Sequence, residues 1–182
     1  MTADLADFSP EDAELVVSLP YRVGVWISHL EDESGETDDK REEAALVRTI
    51  EAVRKKFVKS VFIRSVAAQT LKHQGRWPQW ADRAQTVPAD CRKVITFLEP
   101  QIGKEETKYY RQFLVHIAGV VAEAYGEFGL EDGEKGDSFL GELIEKAALR
   151  ITGGDFGLPT NVAAVEREAI EELARILKIK IS

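Results

Sequence analysis

Two short stretches hold carboxylates densely enough to do chemistry. The first runs from Glu31 through Asp32, Glu33, Ser34, Gly35, Glu36 and Thr37 to Asp38 and Asp39. The second runs from Glu127 through Gly129, Glu131, Asp132, Gly133, Glu134 and Gly136 to Asp137. Hard divalent cations such as Ca²⁺ or Mg²⁺ are held by several oxygens, most of them carboxylate, presented by a loop that helix ends close off. Asp32, Glu36, Asp38 and Asp39 are the candidate ligands in the first stretch, and Glu127, Asp132 and Asp137 in the second. The same charge could instead receive a basic protein partner. Acids at the C-terminal end of a helix oppose its dipole, so Glu31, Asp32 and Glu33 are unfavourable for stability alone. Against this stands the plain reading of solvated loops, with Asp38, Asp39 and Asp137 serving only as N-terminal helix acids. Neither stretch has the spacing of an EF-hand: Thr37 stands where that loop needs glycine, and Gly133 where it needs an oxygen ligand.

Other chemistries find no footing. The chain has no glycine-rich phosphate cradle, no H-E-x-x-H and no G-x-S-x-G. No histidine follows a glutamate by three residues, so the di-iron bundle pattern is missing. The expectation is therefore a protein without enzymatic activity. His29 stands three and four residues before Asp32 and Glu33, on the same helical face, and can join them as a ligand or pair with them at the surface. His116 sits beside an apolar stripe and reads as a boundary residue. Trp77 and Trp80 either close the core or line an interaction surface. Arg48, Arg54, Lys55, Lys56, Lys59 and Arg64 form the one basic concentration, read first as compensation of a helix end.

These residues must be positioned by helices. Ser9 and Pro10, followed by Glu11 and Asp12, form a strong helix start. Pro20 predicts that this helix stops and that a second runs from there to about Asp32, with Val23, Trp26, Ile27 and Leu30 on one face. Thr37 is expected to cap a long helix to Phe57, followed by one over 59–73 with Val61, Phe62, Val66 and Leu71 buried. Residues 74–86 form a break carrying Trp77-Pro78-Gln79-Trp80. Pro88 starts a helix that stops near Pro100, and a long one spans 104–125 with Tyr110, Phe113, Leu114, Ile117, Val120 and Val121 as its stripe. A helix from about Asp137 to Ile151 follows the second acidic stretch. The last begins near Asn161, with Val162, Val165, Ala169, Leu173 and Ile176 inward and Ile170 and Leu177 widening the stripe.

The layout is duplicated. An apolar segment, an acidic glycine-bearing loop and an amphipathic helix occur twice, and Gly24-Val25 and Gly119-Val120 each stand eight residues before an acid, Asp32 and Glu127. The expected fold is all-α: a single compact bundle of about seven or eight helices over 1–182, with pseudo-repeated halves at 18–73 and 88–151 and a C-terminal helix at 161–182.

This duplicated arrangement resembles the TerB-like, tellurite-resistance-associated helical family, which carries an Asp-Gly element at the end of one helix and an acid in the next. Asp132-Gly133-Glu134 matches that element in the second half. In the first half the corresponding residues read Ser34-Gly35-Glu36, with Asp32 two residues early and Glu42 or Glu43 as the later acid. The resemblance covers about residues 18–151. It implies a compact helical protein linked to stress response or metal-ion chemistry, with no established catalytic activity.

Composition sets the outer bounds. The 182 residues carry a formal net charge of −8, which disfavours general nucleic-acid binding, since that depends on neutralising phosphates. Cys91 is the only cysteine, so no disulfide forms within the chain and none is needed at this length. The first fourteen residues are acidic, unlike a signal peptide, and no apolar run reaches the ~20 residues of a membrane span. A cytoplasmic protein is expected. Two roles stay open: acidic loops that bind a divalent cation or basic partner, and a helical adaptor or homodimerisation module acting through the C-terminal helix with Trp77 and Trp80.

Overall fold

The residues that organise the molecule lie in the first helix. Ser9 caps it, its hydroxyl accepting the Asp12 N–H at 3.1 Å, and Pro10 takes the first helical position. The helix does not stop at Pro20. It runs unbroken as α1, Pro10–Ser28, in the computed structural model, which describes residues 4–30, 36–128 and 162–181, and not the side chains of 36–39, 41, 42 and 124–128. Proline inside a helix leaves the carbonyl four residues earlier without its N–H donor. Here that carbonyl belongs to Val16, and the Tyr110 hydroxyl donates to it at 2.8 Å. The neighbouring Val17 carbonyl accepts the Thr70 hydroxyl at 2.7 Å. The Tyr110 hydroxyl thus replaces the missing backbone bond, and the two expected helices are one.

Among the described residues the bundle has seven α-helices and no strand. After α1 come α2 (Glu36–Lys56), α3 (Val61–Lys72), the short α4 (Trp77–Ala81), α5 (Val87–Ile102), α6 (Lys104–Phe128) and α7 (Ala164–Ile176). The helix expected over 137–151 lies outside the described residues. Every residue of α1 from Leu15 to Ile27 is buried, because α2, α3, α4, α5 and α6 all touch it. Its near-continuous apolar run is the mark of a helix enclosed on all sides. A close approach makes this possible at Gly24, where an added Cβ would stand 2.6 Å from Leu46 Cδ2 on α2.

One further boundary differs from expectation. Pro100 lies inside the last turn of α5, and the helix ends instead at Gly103, whose φ of +84° suits glycine and whose N–H donates to the Glu99 carbonyl at 3.0 Å. On α3 the buried face is Phe62, Ile63, Val66, Ala67 and Thr70, so Val61 falls out of register and is 59% exposed. On α7 the expected stripe holds at Ala169, Ile170, Leu173 and Leu177 and fails at Val165. Glu166, Ala169, Ile170, Leu173 and Ala174 face inward against α5 and α6, and Val165 is 42% exposed. The buried Glu166 is tied to the start of its own helix, its carboxylate accepting the Ala163 N–H at 3.2 Å.

One apolar cluster draws side chains from all seven helices. Trp77 and Trp80 belong to it. Trp77 stacks on Tyr21 with ring centroids 4.3 Å apart, and its indole N–H donates to the Thr70 carbonyl at 3.1 Å. Cys91 is wholly buried, and burial pushes its thiol up to about 12. The thiolate is the reactive form, so a thiol-specific chromogenic reagent at pH 8 is expected to leave the native protein unmodified. Stoichiometric labelling should appear only in denaturant; fast labelling of the native chain would contradict this burial.

Candidate functional site

The residues expected to bind a cation are distributed as follows. Asp32, Asp132 and Asp137 lie outside the described residues. Glu36, Asp38 and Asp39 belong to the first turn of α2, and Glu127 to the last turn of α6, which runs three residues beyond its expected end. The side chains of these four also lie outside the described set. Among the described residues, no three His, Cys, Asp or Glu side chains gather in a way that could hold a metal ion.

The described residues do place a cavity at the C-terminal end of α1. It measures about 160 Å³ and opens between the C-terminal end of α1 and the second turn of α2. Tyr21, Gly24 and Val121 line its interior, and His29 and Glu43 stand at its mouth, both exposed. His29 closes α1, its backbone N–H donating to the Val25 carbonyl at 3.1 Å. Glu43 is one of the two glutamates picked out above as the later acid of the first half. Burial pushes the Tyr21 phenol up to about 12, and the negative charge of Glu43 adds to the shift. Glycine at position 24 keeps this wall thin, since Leu46 occupies the space a side chain would need.

A larger depression of about 410 Å³ lies on another side, between the N-terminal segment, α1, α3 and α4. Several of its polar groups are engaged, though the buried Trp80 Nε1 has no hydrogen-bond partner. Arg76 pairs with Glu14 at 2.7 Å, and His73 Nδ1 donates to the Gln69 carbonyl at 2.8 Å. Trp80 forms part of its floor.

A buried polar cluster that spacing did not reveal sits on the α5 side of α1. Arg22 is only 1% exposed, and its Nη2 donates to the Arg83 carbonyl at 2.8 Å, to Thr86 Oγ1 at 2.6 Å and to the Asp90 carboxylate. Thr86 in turn donates to Asp90 at 2.7 Å. Arg22 Nε and Nη1 have no hydrogen-bond partner. Burial alone would raise the Asp90 carboxyl, but hydrogen bonds from Arg22 and Thr86 and the charges of Arg22 and Arg83 outweigh it and hold the group below its ordinary range. A buried, paired arginine of this kind fixes how elements dock; it presents no reacting group to a ligand. The sequence signal was available: Arg22 is the only charged residue between Glu14 and Glu31 other than His29.

No family model, curated protein or solved structure matches the chain. No helix among the described residues is long and apolar enough to cross a membrane.

Proposed function

We propose that the protein is a non-enzymatic, TerB-like helical protein with two related helix–acidic elbow–helix halves, and that its first elbow binds a divalent cation. One observation carries this reading: the cavity between α1 and α2 has His29 and Glu43 at its mouth, in the stretch of chain that also holds Asp32, Glu36, Asp38 and Asp39. A hard cation there would be met by carboxylate oxygens, with His29 beside them. Such a site would relieve the repulsion among acids gathered at a helix C-terminus. A basic protein segment is the other cationic occupant of the same charge.

The adaptor reading gains no comparable support. Trp77 and Trp80 are interior, and the apolar face of α7 covers α5 and α6 of its own chain.

Calorimetric titration with Ca²⁺, Mg²⁺, Mn²⁺ and Zn²⁺ tests the proposal. Saturable heat is expected with at least one of them, weakened about tenfold, the order seen when a supporting ligand is lost, by Asp32→Asn and by Glu43→Gln. Absence of heat at millimolar metal rules out the cation reading.

A further inference from the structure

The α2–α3 connection, Phe57 to Ser60, is held at both ends and bare between them. Phe57 is buried edge-on against Tyr109 of α6, centroids 5.4 Å apart. Ser60 caps α3, accepting the Ile63 N–H at 3.0 Å, and its hydroxyl donates to Glu106 of α6. Between and just after these anchors stand Val58, 79% exposed, and Val61. They are two of only three exposed large hydrophobic side chains among the described residues.

Lysines surround them. Lys55 and Lys56 end α2, Lys59 lies inside the connection, and Lys104 and Lys108 come from the first turns of α6, the part that touches Phe57 and Ser60. All five are exposed. The opposing acids in these α6 turns, Glu105 and Glu106, accept hydrogen bonds from Tyr109 and Ser60. A chain of net charge −8 thus carries a locally positive end tipped with valine.

We propose that this knuckle is a docking surface for an anionic lipid bilayer. Two protruding valines would require a complementary hollow in a protein partner, whereas the headgroup and acyl boundary of a bilayer yields to them. The exposed basic residues around the tip are lysines, while the nearby Arg54 pairs with Glu51 at 3.9 Å and Arg64 is half-buried. Lysine acts as a point charge on a flexible stem, suited to a diffuse field and to snorkelling, while arginine is the residue that forks onto individual carboxylates. The acidic remainder of the surface is repelled by such a membrane, so the contact is oriented. Two valines and five lysines give reversible association; stable anchoring takes a stronger signal.

The test is sedimentation of the full chain with phosphatidylcholine vesicles, with and without about 30% phosphatidylserine, at low and raised salt. Binding is expected only to the anionic vesicles and should fall as salt rises. Each lysine near such a surface contributes about a fivefold factor in partitioning, so Lys55→Gln with Lys59→Gln should weaken binding roughly 25-fold. Val58→Ser should weaken it several-fold while leaving the salt dependence in place. These side chains are exposed, so the circular dichroism and thermal midpoint of the variants should match the parent. No association with anionic vesicles overturns the proposal, and so does association unchanged by these substitutions. Capture by immobilised polyglutamate without vesicle binding overturns it in favour of an acidic protein.

Discussion

Asp90→Ala is expected to destabilise the fold by about 3–5 kcal/mol, the cost typical of stranding one member of a buried ion pair. The guanidinium left behind is 1% exposed and cannot reach solvent, and two of its nitrogens already lack partners. Arg22→Met should cost less, because Asp90 is 17% exposed and can recover hydration. The double variant is expected to regain much of the loss, since methionine removes the charge that Asp90 neutralises and fills the space with an apolar chain. Equilibrium denaturation of the three variants checks the ordering; equal losses in both single variants would show that the pair is not desolvated as described. The pH dependence has a definite sign. A carboxyl held below its ordinary value of 3.8 contributes stability at every pH above that value, and the contribution is lost only as pH falls through the lower, folded-state value. Below about pH 4 the parent should therefore lose stability faster than Asp90→Ala.

Tyr110→Phe is expected to cost about 1–3 kcal/mol, the penalty for leaving a buried carbonyl without a donor. The change removes one oxygen and leaves the ring packing alone, so the loss reports on the Val16 carbonyl that Pro20 strands. A cycle with Pro20→Ala isolates it. Alanine restores an N–H four residues after Val16, and in that background Tyr110→Phe should be nearly neutral. Equal costs in both backgrounds would mean that the hydroxyl is not compensating for the proline. Burial also raises the Tyr110 phenol well above its ordinary value, so this group stays a donor throughout the accessible pH range.

The same two features mark where the sequence could be read and where it could not. Helix type and order follow from apolar spacing, and the start at Ser9 follows from a side chain that satisfies an open N–H group. Pro20 was read as a boundary because the local rule is sound. What overrides it is a hydroxyl 90 residues away in sequence, which no local pattern contains. Val61 and Val165 were assigned to the interior because a stripe of spacing 3 and 4 fixes a face only to within about one residue. At the site, His29 and Glu43 were legible as members of the acidic elbow, but the cavity is lined by residues of four helices, α1, α2, α4 and α6, which no local pattern brings together.

The enclosure of α1 has a consequence for how the chain is made. Its oily surface faces five other helices, yet it leaves the ribosome before any of them, and α6 does not begin until 76 residues after α1 ends. At about 5–20 residues per second, that leaves the segment waiting roughly 4–15 s for its most extensive neighbour. Newly made chains should accordingly depend on a holdase during that interval, and arrest of translation before Lys104 should yield aggregates where arrest after Phe128 does not.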